Sequence, residues 1–454
     1  MKSPLLVIAV ALLLLSCNAQ QKTGKGTETV FKSVNVIPMD TETVLADQDV
    51  VISDGKITGM GNTRSVDYSK DAVIINAKGK YLIPGLAEMH AHVPPIDDIE
   101  PMKEVLLLFA VNGVTTIRGM LGHPRHIELR NKVNSGEILG PKFYTSGPSF
   151  NGQTVPTPQA AEALVREQKS AGYDFLKIHP GIKKEPFAAL VKTAKEVGIP
   201  IAGHVPYEVG VWRAIDADYA TIDHMDGFVE SLVPGIENVK EQDAGLFGMF
   251  IAARADTNAL PKLLAGLKQH NVWVVPTQAL AERWFSPYHS PEALAAEPEM
   301  VYMDAKTTSD WINAKKSLMA NSKYDSLAIV HYITLRKKLI AACYKNNAGI
   351  LSGSDAPQVF DVPGFSLHHE LKYMVDAGLT PYEALRTSTV NVASFYKKSD
   401  EGQVKKNMVA NLVLLNGNPL TDISETANVE GVVLRGKWLS KDFITQTLAG
   451  LKKK

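Results

Sequence analysis

The chain has 454 residues, with 48 lysines and arginines balanced by 48 aspartates and glutamates, 45% hydrophobic and 21% charged residues, and two cysteines. These figures exclude a disordered tail, a disulfide-stapled miniature scaffold and a protein held to nucleic acid by bulk positive charge. At roughly 100–200 residues per domain the length suggests two or three units, although a barrel of about 250 residues can be one domain by itself.

At the N-terminus Lys2 precedes an apolar run from Leu5 to Leu15, too short to span a bilayer and shaped like a secretory signal over residues 1–16. The ending Leu14-Leu15-Ser16-Cys17 resembles a bacterial lipobox. That resemblance implies acylation of Cys17, a polar tether over 17–28, and an exported lipoprotein of the cell envelope, anchored to a membrane and facing the periplasm or the outer surface. A plain signal peptide with an incidental cysteine is the alternative, and export is expected either way. With Cys17 lipidated, Cys343 has no partner for a disulfide and is expected to be a buried, inert thiol.

From residue 29 to 84 short β-branched runs (VFKSVNVI, DVVISDGKI, AVIINA) alternate with Asp-Gly and Lys-Gly turn signals, and residues 401–445 repeat the texture in ANLVLLNG and VEGVVLRGKWL. One small β-sandwich assembled from both termini is expected. Over 85–400, strand-like runs alternate with amphipathic helical stretches. Counting the run that ends at His90, there are eight such strands, which predicts an α/β architecture closed as a (β/α)8 TIM-type barrel. No GxGxxG or P-loop follows any strand, so nucleotide cofactors are set aside. The long intervals Asp226–His270 and Ala279–Asn347 are rich in aromatic residues and methionine, and are expected to form helices or lids over the mouth.

The chemistry-bearing residues fall at strand ends. His90-Ala91-His92 closes the first strand with both imidazoles on one side. His204 ends IPIAGH, His224 ends YATIDH and Asp355 ends ILSGSD, where the catalytic groups of a barrel converge. Lys177 stands inside the apolar run YDFLKIH, where a charged amine needs compensation. It either pairs with a carboxylate such as Asp355, or loses its proton, adds carbon dioxide and becomes an anionic carbamate.

The order His-x-His, Lys, His, His, Asp resembles the amidohydrolase superfamily of metal-dependent hydrolases. The likeness is carried by IPGLAEMHAH, GVTTIRG, DFLKIH, AGHVP, IDHMDG, SGSDAP, GLTPYEALRTSTVNVA and NLVLLNGNPL, and is greatest for the lysine-containing branch related to imidazolonepropionase-like enzymes and Xaa-Pro dipeptidases. It implies one metal on His90, His92, carbamylated Lys177 and Asp355, and a second on the carbamate, His204 and His224. Zinc fits these donors, with manganese or cobalt as alternatives. Two cations about 3.5–4 Å apart would hold a bridging water as the nucleophile, and Asp355 would carry the proton to the leaving amine.

The reaction so implied is cleavage of an amide or cyclic-amide C–N bond in a small-molecule substrate, with no nucleic-acid partner. A carboxylic or phosphate ester hydrolase using the same residues, and a surface lipoprotein that binds a solute or metal without turning it over, remain open. The chain departs from the family pattern at Thr145–Phe150, where dipeptidases often carry Gly-Gly-His, which weighs against dipeptide hydrolysis. It also departs at Gly119 and Asn411, where aspartate is usual.

Candidate substrate contacts are His179, on the same side as Lys177, Tyr207 beyond His204, and Arg118, which suits a substrate carboxylate or a buried ion pair equally. His368 and His369 open an amphipathic helix and are expected at the surface or in a cap. Trp284, Tyr288 and Trp311 either wall a pocket or fill the insertion's core.

Overall fold

The computed structural model describes residues 27–453. The expected signal peptide over 1–16, the acylation site Cys17 and most of the tether lie outside these residues. Among the described residues, no helix is long and apolar enough to cross a membrane.

The N-terminal β-branched runs form β1 (Thr29–Val36), β2 (Leu45–Ser53), β3 (Lys56–Asn62), β4 (Val73–Asn76) and β5 (Tyr81–Pro84). β2 and β3 pair through a tight turn at Asp54-Gly55, whose φ values of 49° and 75° match the left-handed turn of a twisted hairpin. The chain then passes through β6 (Leu86–Ala91), β7 (Val114–Gly119), β8 (Lys142–Thr145), β9 (Leu176–Ile178), β10 (Ile201–Gly203), β11 (Thr221–Asp223) and β12 (Trp273–Val275). It ends with β13 (Leu412–Leu415), β14 (Val429–Leu434) and β15 (Lys437–Leu439).

The two termini do build one body, but as a single eight-stranded mixed sheet, ordered β15-β14-β13-β5-β1-β2-β3 with β4 also on β1. The expected sandwich of two sheets is replaced because β1 is shared. Its first half pairs with β4 and its last residues with β5, across irregularities flanking Val34, with Ser33 at φ 55°. Bulges of this kind bend a strand and let it change neighbours. Phe31, Val50 and Leu82 from one end of the chain share a core with Leu412 and Val433 from the other.

The central strands are all parallel, in two arcs: β6-β7-β8 and β9-β10-β11-β12. The expected uninterrupted eight-stranded ladder does not form. Isolated bridges Ser146–Phe175 and Phe150–Ile178 join the arcs on one side. On the other side the eighth run, AGILSGSD, makes only the single bridge Ile350–Val274. It still hydrogen-bonds both neighbours: Leu351 N donates to Val274 O at 2.9 Å, and Met89 N donates to Ser352 O at 2.9 Å. Gly353 explains the irregularity, since a Cβ there would lie 2.7 Å from His90 N, so the segment approaches β6 more closely than a side chain allows.

Helices cover the arcs as the alternation predicts. Pro158–Ala171 is typical: the Thr157 side chain accepts from Ala160 N, proline occupies the first turn, and Gly172 at φ 86° ends it. The long intervals contain short helical turns over 228–259 and the helices Ala305–Met319 and Ser326–Lys345. Cys343 is free and fully buried in the last of these, and burial pushes its thiol up to about 12.

Candidate active site

β6 delivers His90 and His92 to one point. His90 Nε2 lies 3.2 Å and His92 Nε2 lies 2.6 Å from Asp355 Oδ1, so the three residues place one ligand atom each within 4.8 Å of one another. Asp355 reaches this point because its backbone turns left-handed at φ 74° while its N–H donates to His90 O at 2.9 Å. His224, at the end of β11, is likewise left-handed at φ 61°. Non-glycine residues held this way cost of order 1–3 kcal/mol each and cluster at functional sites.

The other imidazoles adjoin this trio. The ring of His224 is centred 4.5 Å from that of His90 and 4.4 Å from that of His204. Lys177, at the centre of β9, is fully buried, and its Nζ is 3.4 Å from His90 Nε2. Burial lowers the Lys177 amine to about 8, although Asp223 and Asp355 pull the other way. Burial and the Lys177 charge lower His204 to about 3, and burial holds His90 and His224 well below the usual histidine range. These three rings are therefore neutral, with lone pairs free to ligate.

Carboxylates and a hydroxyl orient the rings from behind. Asp226 Oδ2 lies 3.0 Å from His204 Nδ1 and also accepts from Val205 N at 3.2 Å. Thr277 Oγ1 lies 2.9 Å from His224 Nδ1. Asp223 Oδ2 lies 2.9 Å from His90 Nδ1, without the alignment of a hydrogen bond. Glu88 accepts from Ser354 N at 2.8 Å and from Ser354 Oγ at 2.7 Å, fixing the approach to Asp355, and burial raises its own carboxyl to about 8.

Asp223, Asp226, Thr277 and Glu88 were not singled out in the sequence. Asp223 and Asp226 flank His224 in IDHMDG, so proximity to a candidate ligand is the signal that could have found them.

Of the candidate substrate contacts, Tyr207 lines a cavity of about 970 Å³ that also reaches His204 and Asp226, and its hydroxyl donates to Val239 O at 3.0 Å. His179 packs edge-on against His204, ring centres 5.0 Å apart. Arg118 is buried away from that cavity: its Nε donates to Met89 O at 2.7 Å and its Nη2 lies 3.2 Å from Asp223 Oδ1, the geometry of the ion-pair alternative.

The chain matches the amidohydrolase family over residues 81–439. It belongs to that family. It is similar to the adenine deaminase of Ligilactobacillus salivarius (strain UCC118), 21% identical over 406 residues, which cover 88% of this chain and 57% of the deaminase. It thus spans little more than half of that relative's length. Among solved structures, a bottromycin amidohydrolase superposes with a TM-score of 0.69 at 21% identity, covering 93% of this chain and 89% of the other. A Xaa-Pro dipeptidase with bound methionine in its active site gives 0.64 at 20% identity, covering 91% and 100%. At these identities the likeness is one of fold.

The donor set of this amidohydrolase suits metal ions. His224 Nε2 is buried with no hydrogen-bond partner, while His90, His92 and Asp355 already converge. A second convergence, of Glu297, Glu299 and His369, differs in kind. The guanidinium of Arg283 contacts Glu297 and lies 3.7 Å from Glu299, and His369 Nε2 is 2.8 Å from Glu299 Oε1. A cation of the protein's own already occupies it.

His368 corrects the expectation of a surface or capping residue. It is buried, with Nδ1 3.1 Å from Thr426 Oγ1 and Nε2 3.1 Å from Asn112 O, so it ties its helix to the terminal segment. Trp311 is buried in the insertion's own cluster, with Trp284 packed against it, while Tyr288 is exposed.

Proposed function

We propose that this amidohydrolase is a binuclear metal-dependent hydrolase that cleaves an amide or cyclic-amide C–N bond in a small molecule. The observation that carries the reading is the meeting of His90, His92 and Asp355 beside the buried Lys177 amine. His90, His92, Lys177 and Asp355 would hold one cation, and Lys177, His204 and His224 the other, with zinc the metal best suited to imidazole and carboxylate donors. Bound cations supply an acidified water and a polarised substrate carbonyl. In this reading the two parallel arcs are one barrel with an interrupted ladder, supported by the hydrogen bonds that tie residues 350–355 to both neighbours.

The chain's own residues divide the remaining work. Lys177, whose amine burial lowers to about 8, would in its neutral form add carbon dioxide through a new N–C bond and release one proton to solvent, leaving an anionic carbamate that could serve as a metal ligand. Asp355 accepts the proton of the attacking water and delivers it to the departing nitrogen as the C–N bond breaks. Asp226 and Thr277 hold the imidazoles of His204 and His224 in orientation, as outer partners of metal-binding histidines do. The cavity beside His204 admits the substrate.

Metal analysis of the purified protein, with a screen of N-acyl amino acids, dipeptides, cyclic amides and esters with and without chelator, tests the reading. Chelator-sensitive amide hydrolysis with close to two metals per chain supports it. Hydrolysis of esters alone replaces the bond assigned, and metal-bound protein inert to the whole panel leaves a binding protein.

We further propose export and anchoring through acylated Cys17. Labelling of cells with a fatty-acid analogue should tag the wild-type chain and not Cys17→Ser. Equal labelling of the two removes that assignment.

A further inference from the structure

The cavity of about 970 Å³ beside His204 is lined by five carboxylates against three cationic side chains. One carboxylate is unlike the rest. Glu230, on the short helix Phe228–Ser231, has Oε2 buried without a hydrogen-bond partner. Leaving such an oxygen unpaired is costly, so its retention calls for a partner. Arg336 is the nearby cation, yet its nitrogens donate to the carbonyls of His224 and Pro276, to Gln278 Oε1 and to Tyr332.

The position of Glu230 relates it to the metal-ligating histidines. Phe247 lines the same cavity and lies nearly parallel to both His224 and His204, ring centres 5.1 and 6.0 Å away. Behind it, Gly248 packs so closely on Glu230 that a Cβ there would sit 3.2 Å from the Glu230 carboxyl carbon. Asp226, which holds His204, lines the same cavity as Glu230. Leu246 and Phe250 supply apolar wall on the same side.

We propose that Glu230 receives the protonated amino group of the substrate, while Phe247 and its apolar neighbours hold the body of the molecule against the metal-ligating histidines. This rests on the hydrolase reading above and narrows its substrate class to amides that carry a free, basic amine.

The test uses the metal-loaded protein and two probes of equal shape, 2-phenylethylamine and 2-phenylethanol, titrated by ligand-observed NMR, with metal content measured for every variant. Wild type is expected to bind the amine about tenfold more tightly than the alcohol. Glu230→Gln should abolish that preference with alcohol affinity and metal content unchanged, and Glu230→Asp should retain it. No preference in wild type, or a preference that survives in Glu230→Gln, overturns the assignment. Should Glu230→Gln fail to fold, Glu230→Ala takes its place: a lost preference in the folded, metal-replete variant supports the role and a retained one removes it. An amine preference that depends on Glu230 in a protein inert to every amide leaves the assignment standing and the hydrolase reading fallen. Amide hydrolysis indifferent to Glu230 does the reverse.

Discussion

His92 Nε2 and Asp355 Oδ1 lie 2.6 Å apart across 263 positions of sequence. The contact exists because β6 and the irregular run 350–355 are neighbours, and because Gly353 lets their backbones touch. Replacing Asp355 with asparagine keeps the shape and removes the carboxylate proposed to carry the proton. Turnover of any amide found to be a substrate should fall by roughly 10²–10⁴-fold with the circular-dichroism spectrum unchanged. A variant that retains more than a tenth of wild-type kcat would remove Asp355 from the proton path.

Lys177→Ala deletes the buried amine proposed to add carbon dioxide. Metal content is expected to drop, and a short carboxylic acid added to the buffer should restore part of it by standing in for the missing bridge. Plasma emission spectroscopy with and without propionate reads the outcome. Full occupancy and full activity in Lys177→Ala would mean that no carbamate forms.

Gly203 closes β10 at φ 117°, immediately before His204, and a Cβ there would lie 2.6 Å from Ile178 O and 2.8 Å from Lys177 Cδ. Neither the dihedral nor the space accepts alanine. Gly203→Ala should lose about 2 kcal/mol or more of stability, and metal with it, because β9 and β10 would have to part. Urea denaturation measures the first effect, and a midpoint within error of wild type would contradict it.

Burial lowers His368 from 6.5 to about 4 while Asn112 O and Thr426 hold the ring. His126, buried beneath Pro94 O at 3.0 Å, is lowered from 6.5 to about 4 as well. For a base depressed in the folded state, the unfolded chain takes up the proton first. Each ring's contribution is therefore intact above pH 6.5 and drains away as pH falls toward 4, at up to about 1.4 kcal/mol per pH unit. Urea midpoints at matched metal loading should decline through this window, with a shallower slope in His368→Gln than in wild type. Identical slopes in the two proteins would show that His368 is not protonated on unfolding.

The convergence of the proposed ligands was legible because each ends or lies inside an apolar run, and an ionisable residue there has few uses. Lys177 in DFLKIH and His224 in ATIDH illustrate this. Asp223 and Asp226 were not, because a carboxylate next to a histidine has no period of its own and its role depends on which ring it meets. The terminal strands were visible, but their union into one sheet was not. It turns on β1 changing partners at Val34, a backbone event that side-chain alternation does not record. The closed ladder was over-read for a related reason: eight apolar runs fix how many extended segments exist, while Gly353 and the left-handed Asp355 decide whether the last keeps register. His368 looked like an exposed helix residue because its partners, Asn112 and Thr426, come from opposite directions along the chain.

The placement of β13 between β5 and β14 sets an order of events during synthesis. Until residue 412 has left the ribosome, the edge of β5 is an open row of amides, and the N-terminal strands wait with three of the eight strands of their sheet unmade. Removing residues 405–454 would therefore take away none of the candidate site residues, yet it would leave β5 without its lateral neighbour.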